Sequence, residues 1–208
     1  MNKRLIYEQV DYPVVLTAQR KVRQNDGLFT VGNIISLYTK PFNWNTPPEY
    51  HTETGFFVNG GLWFFSSVMG IGTRWISAGE LLVNSDEWNI YAEIYKNPKD
   101  VEDMIDRSND ELGKGYDYLG LAGFGSILYG LSLLFKQTKR QISILAKAVN
   151  REFLWYCSEV SNYVTSGKWL RIVSPRRYTI IIKRRGAILL PQGINLTWWV
   201  KYFYARTV

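Results

Sequence analysis

The hydrophobic pattern of this chain changes period near Pro98, and that change limits the fold more than any other feature. Before it, short aromatic and β-branched stretches alternate with turn residues; after it, apolar side chains recur at three- and four-residue spacing. His51–Val58 and Leu62–Ser67, joined by Asn59-Gly60-Gly61, have the form of a hairpin, because an Asn-Gly pair favours the tight turns that match strand twist. Gly72–Ile76 and Trp88–Ile94 continue an antiparallel sheet. Upstream, Leu28–Tyr38 reads as a buried strand. Pro41, Pro47 and Pro48 make Phe42–Tyr50 an irregular connection that delivers His51 to the next strand. Residues 1–27 read as mixed and polar.

Beyond Pro98, Val101, Ile105, Ser108 and Leu112 line one face of an amphipathic helix closed by Gly113 and Gly115. Residues 118–135 carry no charge and would reach ~27 Å as a helix, at the lower limit for a bilayer. A buried or half-buried core helix is the favoured reading of that run. Contact with a membrane is the alternative, helped by the basic Lys136–Arg140 stretch after it. Ile142–Val149 and Trp155–Val164 suggest further helical segments, whereas Tyr178–Ile182 and Thr197–Val200 read as strands. No repeat or linker divides the chain, so residues 1–208 are expected to form a single α+β domain.

With 46% hydrophobic and 21% charged residues, the chain has enough apolar side chains to fold. The net charge of +7 is concentrated at Arg20-Lys21-Val22-Arg23, Lys139-Arg140, Arg176-Arg177 and Lys183-Arg184-Arg185. A solvated basic face explains these clusters most simply; attraction of an acidic polymer or anionic lipid is the alternative. No nucleic-acid motif accompanies them, so no specific nucleic-acid partner is expected. The chain holds no metal-ligand spacing, Walker loop or dinucleotide fingerprint, so neither metal nor cofactor is expected. The first residues show no export signal, because Glu8 and Asp11 interrupt any apolar run; a cytoplasmic or virion-associated protein is the expectation.

A single cysteine and a single histidine remain, Cys157 in Trp155-Tyr156-Cys157-Ser158-Glu159 and His51 in Tyr50-His51-Thr52-Glu53. One cysteine makes no internal disulfide. A thiol and an imidazole are the minimum set for nucleophilic catalysis near neutrality, because the base draws off the proton that sulfur must lose before it attacks. A helix starting close to Trp155 would favour the thiolate through its unpaired N–H groups and dipole. The bland alternative is a small buried apolar residue and a satisfied histidine.

These strings resemble the circularly permuted branch of the NlpC-type papain-like cysteine peptidases, which includes YiiX-like and many bacteriophage proteins. Tyr50–Glu53 resembles that branch's histidine strand, and Leu62–Ser67 with Gly70–Arg74 resembles its next hairpin. Gly115-Tyr116-Asp117-Tyr118-Leu119-Gly120, together with Trp155–Glu159, resembles its nucleophile half. The likeness runs over roughly residues 28–165, with histidine ahead of cysteine, the inverse of the unpermuted order.

The resemblance implies an antiparallel sheet packed on helices, Cys157 as nucleophile, His51 as base and Tyr116 lending its hydroxyl to the oxyanion site. The family's third polar residue, on the strand after the histidine, is matched only by Ser66 or Ser67. Glu53 lies two residues beyond His51, hence on the same strand face, and is the alternative orienter of the imidazole or else a buried charge. The implied activity is hydrolysis through a thioester acyl-enzyme, on amide bonds of bacterial cell-wall peptides. Its rivals are a lipid acyl or thioester hydrolase or acyltransferase at a membrane, and a non-catalytic virion component that keeps the fold.

Overall fold

The computed structural model describes residues 3–21, 49–68, 71–115, 157–169 and 173–207. The expected strand Leu28–Tyr38, the segments 118–135 and 142–149, and Tyr116 lie outside these residues. The architecture is α+β, with a six-stranded antiparallel sheet ordered β4-β3-β2-β1-β5-β6. Its strands are β1 (Val10–Lys21), β2 (Glu49–Val58), β3 (Gly61–Val68), β4 (Gly72–Ser77), β5 (Trp88–Ile94) and β6 (Ile188–Leu189). The helices are α1 (Ala78–Leu81), α2 (Pro98–Asp110), α3 (Cys157–Ser166), α4 (Pro175–Arg184) and α5 (Leu196–Thr207).

Consecutive strand residues go to opposite cores, as a pleat requires. Val14, Leu16, Phe57 and Phe64 pack with Trp199 and Val200 of α5. Val15, Phe56, Val58 and Phe65 pack with Val101, Met104 and Ile105 of α2 and Val160 and Val164 of α3. Helices therefore cover both faces of the sheet.

The β2–β3 hairpin closes on Asn59 and Gly60 with φ of 52° and 73°, the two positive values that the Asn-Gly signal implies. α2 begins as its sequence predicts: the Asn97 side chain accepts from the Lys99 N–H at 3.0 Å and Pro98 occupies the first turn. It ends at Asp110, two residues short of the expected Leu112. β2 starts at Glu49 within the expected connection, so His51 is its third residue.

Two readings are corrected. Residues 1–27, read as mixed and polar, contain β1, which pairs with β2 on one side and β5 on the other. Covering both faces buries Thr17 and Gln19 as well as Val14, Val15, Leu16 and Ala18, so no clean alternation marks the strand. Pro13 falls in the register shift between Val10 and Val15, where the ladder is interrupted.

The expected strands Tyr178–Ile182 and Thr197–Val200 are instead parts of α4 and α5. A short apolar run does not reveal its period, and the caps outside the run decide. Ser174 accepts from the Arg177 N–H at 3.2 Å ahead of Pro175, and Asn195 accepts from the Trp198 N–H at 3.0 Å. Pro175, Tyr178, Thr179 and Ile182 then become the buried stripe of α4. Among the described residues, no helix is long and apolar enough to cross a membrane.

Candidate active site

β2 carries His51 and Glu53 on one face, and the imidazole Nε2 is paired with Glu53 Oε1. The Ser66 hydroxyl on β3 donates to that same carboxylate oxygen at 2.7 Å. The other oxygen, Oε2, is buried and has no hydrogen-bond partner among the described residues. Glu53 is only 1% exposed, so its carboxylate depends on these partners rather than on water. Of the two orienters considered from sequence, Glu53 contacts the ring, and Ser66 acts on Glu53 rather than on His51. Ser67 is buried on the neighbouring position.

Cys157, the first described residue of α3, lies beside the same imidazole, near enough for the sulfur to act on the ring's protonation. The thiol is buried at 3% exposure, while the His51 side chain is 19% exposed, so the ring is the solvent-facing member of the pair. Burial alone would strongly lower the His51 pKa. The negative charge of Cys157 and of Glu53, and their hydrogen bonds, more than offset it and hold the value well above 6.5. The surroundings therefore favour the protonated ring over the neutral one.

α3 is fixed along its length. The Ser158 hydroxyl donates to the Val173 carbonyl, and Arg107 of α2 donates to the Val164 carbonyl at 2.8 Å, a cation placed at the helix C-terminus. Arg185 grips Glu93 of β5 through Nε at 2.8 Å and Nη2 at 2.9 Å. Its Nη1 donates to Thr165 at 3.2 Å. The Tyr178 hydroxyl lies 3.0 Å from that of Thr165 and bonds the Ser161 carbonyl at 3.2 Å.

The neighbours of His51 across the sheet escaped the sequence reading. Arg20 pairs in register with His51 on one side and Trp88 on the other. Its guanidinium sits 5.8 Å from the centre of the Trp88 ring and donates to Glu87 at 2.7 and 3.1 Å. The Trp88 and His51 rings are 6.2 Å apart. No local signal joins these residues; the sheet register does. Of the clusters read as a basic face, Arg176 is buried, while Arg20 and Arg185 each pair with a buried carboxylate, Glu87 and Glu93.

Among the described residues no cluster of histidine, cysteine and carboxylates is arranged to hold a metal. No family model matches the chain, and no curated protein sequence matches it significantly.

Proposed function

We propose that this chain is a cysteine hydrolase working through a thioester acyl-enzyme on a circularly permuted papain-like fold. The observation that carries the reading is the contact between the only thiol and the only imidazole, more than a hundred positions apart in sequence. A buried carboxylate paired with the ring supports it further. The permuted assignment is supported by the chain order, histidine strand first and cysteine helix later, around an antiparallel sheet packed on helices.

In this mechanism the Cys157 sulfur attacks the scissile carbonyl as the thiolate, with the proton already on His51. The imidazolium gives that proton to the leaving amine as the C–N bond breaks, leaving a thioester. Neutral His51 then takes a proton from water, whose oxygen attacks the thioester and releases the acid. With Nε2 held by Glu53, Nδ1 is the nitrogen left for these transfers, and Glu53 stabilises the charged ring as the buried carboxylate of a triad does. Amide bonds of bacterial cell-wall peptides, in a phage context, are the proposed substrate class.

Purified chain is expected to release new amine from peptidoglycan fragments, and Cys157→Ala to lose that turnover entirely. Full turnover by the variant would reject the reading. The low exposure of Cys157 favours a second reading, a non-catalytic virion component that keeps the fold. Failure of a small thiol-directed electrophile to label Cys157 in the folded protein at neutral pH would put it in first place.

A further inference from the structure

On the β5 side of His51 a cavity of about 110 Å³ opens between the sheet and the segment leading into α5. Leu82, Trp88, Ile90, Leu190, Ile194 and Leu196 form most of its wall, and none of the described lining residues is charged. Gln192, a polar neighbour, is already engaged at both ends: its Nε2 donates to the Trp88 carbonyl at 3.0 Å and its Oε1 accepts from Lys21 Nζ at 3.4 Å. An ionised substituent would lie against mainly apolar side chains and lose its hydration, whereas an apolar one would meet a wall of its own kind.

Trp88 links this cavity to the catalytic pair, since its indole forms part of the wall and stands beside the His51 ring. His51, Arg20 and Trp88 occupy one row across β2, β1 and β5. With adjacent strands about 4.8 Å apart, that row spans roughly 10 Å. A substituent a few bonds from a carbonyl held at Cys157 can reach across that distance. The Arg20 guanidinium over the indole and the Gln192 bond to the Trp88 backbone fix Trp88 where it borders both the cavity and the His51 ring.

We propose that the cavity is a specificity subsite for a short apolar substituent of the acyl donor, a branched aliphatic or single-ring aromatic group. This rests on the thioester mechanism above and adds the substrate class to it. An apolar cavity of about 150 Å³ accepts benzene, so a space of this size takes a group of roughly four to six carbons and leaves a long lipid chain outside.

The test uses p-nitrophenyl esters of acetate, 4-methylpentanoate, phenylacetate and dodecanoate, with p-nitrophenolate release and intact mass of the acylated chain as readouts. The 4-methylpentanoyl and phenylacetyl esters are expected to exceed acetate in kcat/KM by roughly 10- to 100-fold, with dodecanoate falling back. Ile90→Trp, which fills the cavity, should bring the ratio of 4-methylpentanoyl to acetyl rates close to one. Leu190→Ala, which enlarges it, should move the optimum to longer chains. Acylation of Cys157 with no preference among the esters, or a preference that survives both substitutions, would overturn the subsite and leave the mechanism standing. Absence of acylation by every ester would overturn both.

Discussion

At the scale of single residues, the site is a matter of which charges are kept out of water together. Burial alone would favour a neutral His51; Cys157 and Glu53 shift the balance toward the cation. Because the chain has one histidine, its ring resonances need no assignment among rivals. An NMR titration is expected to give a midpoint well above 6.5, and Cys157→Ser to move it down by removing a negative neighbour. A midpoint at or below 6.5 in the unmodified chain would contradict the charge arrangement. Glu53→Gln should lower the rate of acyl transfer by about 10²- to 10⁴-fold, the scale on which an orienting carboxylate matters in such triads. Steady-state kinetics showing less than a threefold loss would remove Glu53 from the catalytic unit.

At the scale of elements, the Cys157–His51 pair is held by contacts that tie α3 to its surroundings. Arg185→Ala would leave the Glu93 carboxylate buried without its cation. The expected loss is about 3 kcal/mol in urea unfolding, and a loss below about 0.5 kcal/mol would show that the pair does not hold the helix. Gly72 has φ of 85°, and an added Cβ would overlap the Lys114 carbonyl oxygen, a backbone group anchored by the Thr73 N–H at 2.9 Å. Gly72→Ala should therefore cost about 1–3 kcal/mol, measured the same way, and an unchanged unfolding midpoint would contradict that crowding. The hairpin, β4, β5 and the start of α2 were legible because each carries a local signal: Asn59-Gly60 in the turn, β-branched and aromatic runs in β4 and β5, and the change of period at Pro98. β1 was not legible, because burial on two faces erases alternation and sets Gln19 and Thr17 among its apolar residues. α4 and α5 were misread because Ile180–Ile182 and Trp198–Val200 carry β-favouring side chains, while the capping Ser174 and Asn195 lie just upstream. For the site, Cys157, His51 and Glu53 stood out by rarity and spacing. Trp88 and Arg20 did not, since only the sheet register brings them to His51.

At the scale of the molecule, the Cys157–His51 pair exists only when β2 and α3 have met, so the protonation of His51 is coupled to folding. A histidine whose folded pKa lies above its unfolded value binds its proton more tightly in the native state. Its contribution to stability is complete below about pH 6.5 and is lost as pH rises through the folded value. Urea unfolding of the unmodified chain should accordingly show stability falling from neutral into alkaline pH, through the midpoint that NMR reports for His51; a rise across that midpoint would be inconsistent with the pair. The central claim, that sulfur and imidazole act as one unit, is tested most directly by the rate at which iodoacetamide alkylates Cys157 at pH 6.5, followed by intact mass. The unmodified chain should react at least about 100-fold faster than His51→Ala. Equal rates in the two folded proteins would contradict it.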